Sequence, residues 1–218
     1  MRFPPAILAI GRNYADHAAE MGGKTDERPM VFMKNPASVC RNGDTIRIPP
    51  ICREGGPQVD YEGELAFEIA RDCRDVPESE AMSVIAGFRV ANDVSARWWQ
   101  KTGSGGQFCR GKSFDTFCPM TDLVPAGAVA DAQNLEIETI LNGQTVQKAN
   151  TRLMVFPIRF LVAELSRGMT LVAGTVVLTG TPAGVGAGRN PPLFLKHGDT
   201  VEVKIQGIGH LVNPVVEE

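Results

Sequence analysis

The stretch Asp60–Ala70, Asp-Tyr-Glu-Gly-Glu-Leu-Ala-Phe-Glu-Ile-Ala, constrains the fold of this chain most strongly. Glu62, Glu64 and Glu68 fall at even positions, while Tyr61, Leu65, Phe67 and Ile69 take the odd ones. Strict alternation is the pattern of a half-buried strand. Residues two apart in a strand point the same way, roughly 7 Å apart at about 3.3 Å rise per residue. Glu62 and Glu64 can therefore aim at one point, and Gly63 between them leaves the backbone open to close approach. Like charges on one face repel unless something positive sits between them, and carboxylate oxygens suit Mg²⁺, Mn²⁺ or Ca²⁺. Taken alone, the pattern suits a solvated acidic face on an edge strand even better.

Other stretches add candidates of the same ambiguous kind. Ala6–Ile10 reads as a short buried strand ending at Gly11, and a short helix follows, capped by Asp16 and closed by Gly22-Gly23. On that helix His17 and Glu20 are neighbours at i and i+3. A carboxylate beside an imidazole raises its basicity, as a general base requires, although a surface His/Glu pair looks the same. The polar, glycine-flanked segment suits a mobile lid. Pro29–Lys34 reads as a strand that delivers Lys34 to the Asn35-Pro36 turn. Gly87–Asp93 reads as a strand with Asp93 at its polar end, placed either to join a carboxylate metal site or to cap the next helix.

Residues 102–118 are glycine-rich and carry Lys112 between Arg110 and Asp115. A nucleotide loop is not expected there; a carboxylate or a developing oxyanion is the better partner for Lys112, if it is not simply solvated. Asn142-Gly143 between two apolar runs is a hairpin signal. Ile158, Leu161, Val162 and Leu165 mark an amphipathic helix over Pro157–Arg167. After the strand Val176–Leu178, the turn Thr179-Gly-Thr-Pro-Ala-Gly-Val-Gly offers N–H groups and hydroxyls to an anionic ligand, or is only a tight turn. His197 and His210 read as ordinary turn or surface histidines, and Ile208 onward as the chain end.

Composition narrows the class. A length of 218 residues is expected to form one domain over 1–218, and 43% hydrophobic with 22% charged residues is ordinary for a globular protein. Gly 23 and Pro 15 suit a strand-rich fold. A net charge of -3 gives no reason to expect nucleic acid or an anionic membrane as partner. Five cysteines without CxxC spacing argue against a disulfide framework or a zinc site and for a reducing compartment. With no signal-peptide pattern and no spanning apolar run, a cytoplasmic protein is expected.

Five ordered blocks together carry a resemblance that none carries alone. They are Gly11-Arg-Asn-Tyr-Ala-Asp-His-Ala-Ala-Glu-Met, Asp60-Tyr-Glu-Gly-Glu-Leu, Ala91-Asn-Asp-Val-Ser-Ala-Arg, Arg110-Gly-Lys-Ser-Phe-Asp-Thr-Phe-Cys-Pro and Thr179-Gly-Thr-Pro-Ala-Gly-Val-Gly. From about Ala6 to Pro214 the chain resembles the catalytic domain of the fumarylacetoacetate hydrolase superfamily, and more closely its small acylpyruvate-hydrolase and oxaloacetate-decarboxylase members. The resemblance implies a strand-rich mixed α/β fold around a rolled β-sheet with a few flanking helices. It implies Mg²⁺ or Mn²⁺ on Glu62, Glu64 and Asp93, catalytic roles for His17, Glu20 and Lys112, and a homodimer. It places Arg12, Tyr14, Lys34, Gln107 and Thr181 at or near substrate. Gln107-Phe108 stands where many relatives carry Gln-Trp, and Asn35 separates Lys34 from Pro36, so the substrate itself stays open. The implied activity is hydrolysis of the C–C bond of a 2,4-dioxo acid, with pyruvate leaving as a metal-chelated enolate. The alternatives on the same site are oxaloacetate decarboxylation and hydration or isomerisation of a 2-oxo acid.

Overall fold

The computed structural model describes residues 3–24 and 26–218. Its strands and helices in chain order are β1 (Ile7–Gly11), α1 (Ala15–Glu20), β2 (Met30–Lys34), β3 (Val39–Arg41), β4 (Ile46–Ile48), β5 (Val59–Asp60), β6 (Gly63–Ile69), β7 (Ile85–Asn92), β8 (Ser95–Ala96), α2 (Arg97–Gln100), α3 (Phe108–Gly111), β9 (Cys118–Met120), β10 (Val124–Pro125), β11 (Glu136–Leu141), β12 (Gln144–Asn150), α4 (Ile158–Ser166), β13 (Val176–Leu178), β14 (Thr200–Ile205) and β15 (Gly209–Glu217). The large sheet runs β2-β1-β13-β6-β7-β9-β3, with β10 on β7; a second runs β12-β11-β14-β15-β4; β5 and β8 form a two-stranded ribbon. The result is the strand-rich mixed α/β fold with a curled sheet and few helices.

The two larger sheets enclose the main core. Leu65 and Phe67 of β6 and Phe88 and Val90 of β7 meet Ile137, Val203 and Leu211 from the second sheet, and Leu161 and Leu165 of α4 close the end. Burying each such side chain contributes about 1.5–3 kcal/mol. Gly63 lets the sheets approach, because a Cβ there would lie 2.2 Å from Thr139 Oγ1 and 2.9 Å from Val203 Cγ1. The hairpin forms at Asn142-Gly143, both with positive φ (51° and 80°), the two-residue turn whose twist matches its strands. The amphipathic helix forms over α4, followed by Gly168 at φ 70°.

Four details depart from the sequence expectations. The run Asp60–Ala70 is not one strand: β5 and β6 are separated at Tyr61-Glu62, because the Tyr61 N–H donates to the Asp60 carboxylate (2.9 Å) and the Glu62 N–H to the Asn92 side chain (2.9 Å). Nor is β6 half-exposed at an edge. It lies between β13 and β7, and its second face is buried too, with Ala66 packed among Ala9, Ala91 and Leu178. Asp16 does not cap α1; the helix begins at Ala15, with Tyr14 at the cap position and no side-chain cap bond. The chain end is a nine-residue strand, β15, antiparallel to β14 and parallel to β4. Among the described residues, no helix is long and apolar enough to cross a membrane.

Candidate active site

Glu62, in the break between β5 and β6, and Glu64 of β6 line one cavity, and Asp93, just past the end of β7, stands beside them. Oxygens of Glu62, Glu64 and Asp93 all lie within 4.8 Å of one another, and all three residues are buried. A backbone bond from Asp93 N to Glu62 O (2.8 Å) fixes their register. Asp93 does not cap the following helix; its carboxylate is held from two sides by lysines. Lys34 Nζ lies 2.5 Å from Oδ1 and Lys112 Nζ 2.5 Å from Oδ2. Lys112 also reaches Glu62 Oε2 and Ser95 Oγ, both at 2.7 Å. Arg97 Nη1 holds the other Glu62 oxygen at 2.7 Å.

These pairings leave the triad electrically uneven. Burial alone would raise the Glu62 carboxyl, but Lys112 and Arg97 more than offset it and hold it well below the usual carboxylate range. Burial raises the Glu64 carboxyl, and the charges of Asp93 and Glu62 push it further up; Lys112 and the Gly180 N–H (2.7 Å) oppose this without cancelling it. Burial would lower the Lys112 ammonium, yet Asp93 and Glu62 raise it above its ordinary value. Asp60, Glu62, Glu64 and Asp93 thus face three fixed cations, Lys34, Lys112 and Arg97, and Glu64 is the carboxylate left short. A divalent ion would turn that deficit of one positive charge into an excess of one. An all-oxygen donor set that is short of positive charge fits a hard divalent cation.

His17, Arg12 and Thr181 line the same cavity as Glu62, Glu64 and Lys112, with Phe32 and Phe108 as an apolar wall. His17 is buried, and its Nδ1 lies 3.5 Å from Glu20 Oε2. Burial would raise the Glu20 carboxyl, but His17 and backbone N–H groups outweigh it and lower it, Gly184 N reaching both oxygens at 3.0 Å. Arg12 stands at the mouth in a left-handed conformation (φ 56°), which few non-glycine residues adopt without a constraint. The Thr181 hydroxyl donates to Gly63 O and accepts from Gln147 Nε2, so the protein itself uses it.

Three expected substrate contacts stand away from the cavity lining. Lys34 is 1% exposed and lies behind Asp93, where Phe117 O takes its third direction (3.0 Å). Tyr14 is buried, its hydroxyl unpartnered, beneath a separate surface depression. Gln107 is exposed at the start of α3. The turn after β13 binds anions as its composition suggests, but they are the protein's own: Gly180 N takes Glu64, Gly184 N takes Glu20, and Gly186 N (2.7 Å) and Ala187 N (2.9 Å) take Asp60. Gly106–Ser113 does have the Gly-x-x-x-x-Gly-Lys-Ser spacing of a phosphate loop. It lacks the context, since such a loop leaves a strand and opens a helix. Here α3 is a single turn that ends before Lys112, and carboxylates occupy the ammonium.

Arg97 and Asp60 are the site residues that sequence reasoning left unassigned. Both sit inside the distinctive blocks, and the signal was a charged residue embedded in a buried stretch. Both are in fact buried.

A rolled sheet that gathers three acids able to hold a metal ion, a lysine and a His/Glu pair defines a class of enzyme site. The sequence matches the family described as fumarylacetoacetate (FAA) hydrolase C-terminal over residues 6–216, and the chain belongs to that family. It is 44% identical over 214 residues to the mitochondrial oxaloacetate tautomerase fahd2 of Xenopus laevis, covering 98% of this chain and 66% of that protein. The chain thus spans about two thirds of that relative's length. Among solved structures it is similar to a 5-carboxymethyl-2-hydroxymuconate delta-isomerase from Mycobacterium smegmatis (TM-score 0.85, 40% identity, 99% of this chain and 80% of that one). It is also similar to a fumarylacetoacetate hydrolase from Exiguobacterium antarcticum (TM-score 0.87, 41% identity, 99% and 76%).

Proposed function

We propose that this chain is a divalent-metal-dependent enzyme that makes and protonates the enol of a small 2-oxo acid, interconverting keto and enol or double-bond isomers. The observation that carries this reading is a cavity lined by Glu62, Glu64, the buried Lys112 and His17, where the buried acids Asp60, Glu62, Glu64 and Asp93 together are short of one positive charge and Glu20 Oε2 lies 3.5 Å from His17 Nδ1. Mg²⁺ or Mn²⁺, held by Glu62, Glu64 and Asp93, would supply Lewis acidity and a template for the carboxylate and keto oxygens of such a substrate. Lys112 is the fixed ammonium that meets negative charge developing on the keto oxygen. His17 takes the proton from the carbon beside the carbonyl and delivers it to the enolate oxygen, or to the far carbon of the conjugated system for a double-bond shift, and Glu20 orients the imidazole and stabilises its charged form. Arg12 at the mouth suits a second carboxylate on the substrate. The tautomerase and isomerase relatives support this class of reaction.

C–C hydrolysis of a 2,4-dioxo acid is the second reading, favoured by the same His17–Glu20 pair, which can equally activate a water, and by the hydrolase among the similar structures. A panel of 2-oxo and 2,4-dioxo acids with Mg²⁺ or Mn²⁺ separates them: enol absorbance reports tautomerisation, and pyruvate release reports cleavage. His17→Ala is expected to lower kcat about 10²–10⁴-fold for either proton-dependent reaction. Full activity in that variant would remove His17 from its role.

A further inference from the structure

We propose that Asp60 is a positioning residue for the proton-transfer pair, acting through the turn Thr179–Gly188. This rests on the assignment of His17 and Glu20 given above. Asp60 does not line the cavity, yet it is fully buried and its carboxylate is saturated. Oδ1 accepts from Tyr61 N (2.9 Å) and Gly186 N (2.7 Å), and Oδ2 from Ala187 N (2.9 Å) and Arg97 Nε (2.8 Å). Arg97 in turn holds Glu62, so the anchor is tied to the acid triad at its other end.

The same turn receives Glu20 two residues before the Asp60 contacts, at Gly184 N. Its alternate glycines show how closely it is fitted. A Cβ at Gly184 (φ +104°) would meet Val146 O at 2.1 Å, and one at Gly186 would lie 2.7 Å from Asp60 Oδ1 and 1.8 Å from Leu193 O. A Cβ at Gly188 would lie 2.3 Å from Glu20 Cγ. Each glycine thus admits a different neighbour, and the last admits Glu20 itself. The helix that carries His17 and Glu20 has six residues and no side-chain cap at its start. Such a short helix depends on outside contacts for its order. Glu20 ties its far end to the turn, and Asp60 keeps the turn where Glu20 can reach it.

Amide hydrogen exchange and steady-state kinetics on the Mn²⁺-loaded full chain test this. In Asp60→Asn, an NH₂ replaces one oxygen that now accepts backbone N–H bonds. Exchange across Ala15–Met21 is expected to speed up about tenfold, while the centre of β6 keeps its protection. On a 2-oxo acid that the wild type turns over, at saturating Mn²⁺, kcat is expected to fall about tenfold, with KM changing less than about threefold. Gly188→Ala displaces Glu20 without touching Asp60 and is expected to show the same pattern; it decides the matter if Asp60→Asn does not fold. Asp199→Asn alters another buried carboxylate, in the turn before β14, where Lys196 and Asn142 hold it, and is expected to leave kcat and Ala15–Met21 exchange unchanged. Wild-type exchange across Ala15–Met21 in the folded variants, or the same acceleration in Asp199→Asn, would overturn the proposal. If the wild type turns over no 2-oxo acid, the functional reading fails, and exchange still decides what Asp60 does.

Discussion

Glu64 and Glu68 stand four residues apart on the same face of one strand, and they have opposite fates. Glu68 is partly exposed and takes Arg89 from β7, with Nη2 at 2.7 Å and Nε at 3.2 Å on one oxygen. Glu64 is 2% exposed, faces two other carboxylates, and has a single backbone N–H for company. The comparison teaches that charge at a strand position says little by itself. A carboxylate matched by its own guanidinium is a finished structural contact. One left short of positive charge in a buried cluster is a place built to receive a cation.

The contrast can be broken from its strongest point downward. Lys34→Met strips the cation from behind Asp93 and leaves a second unmatched buried acid. Removing one partner of a buried pair costs about 3–5 kcal/mol, so urea unfolding of the metal-free protein should show a loss of that size. Saturating Mn²⁺ should recover part of it, since the ion binds only the folded site.

Glu64→Gln should weaken Mn²⁺ binding by at least about 100-fold in calorimetry, because losing a direct ligand exceeds the usual 10–100-fold cost of an outer-shell partner. The same variant sharpens the comparison through pH. Glu64 has its folded pKa raised, so the folded metal-free chain keeps a proton that the unfolded chain releases near its ordinary pKa of about 4.3. Its contribution therefore makes stability fall as pH rises above that value. Glu62, lowered, works the other way, adding stability above that value and losing it as pH falls through its folded pKa. Chemical denaturation across pH should show the Glu64 contribution vanish in Glu64→Gln. Unchanged metal affinity and an unchanged pH slope would make Glu64 no different from Glu68.

The smallest effect belongs to Glu68→Gln. Its partly exposed pair is worth no more than about 1 kcal/mol, and Mn²⁺ affinity should stay within about twofold of wild type because Glu68 has its own cation. A large loss of metal binding there would dissolve the distinction.

Much of the fold was legible because local signals were strong. Val176–Leu178 is a strand over the expected residues, Asn142-Gly143 turns a hairpin, and Gly168 follows α4. What misled was alternation in β6. It correctly gave two faces, but it could not reveal that a second sheet and neighbouring strands cover both. The final strand was missed because its apolar and polar residues are interrupted by Pro214, which this β15 position tolerates.

The sequence by itself determined which side chains share a strand face, because a period of two is a property of the backbone. That period offered Glu62 and Glu64 as a pair, although the strand starts only at Gly63, and helical spacing offered His17 and Glu20 as another. Only the tertiary structure decided what those pairs meet. It set Lys34 behind Asp93 instead of in the cavity, gave Arg97 to both Asp60 and Glu62, and gave the glycine turn to three of the protein's own carboxylates. These partners lie far apart along the chain, for instance 37 residues for Arg97 and Asp60 and 164 for Gly184 and Glu20. Charge balance in a buried site is a sum over neighbours in space, and no local pattern in the chain records it.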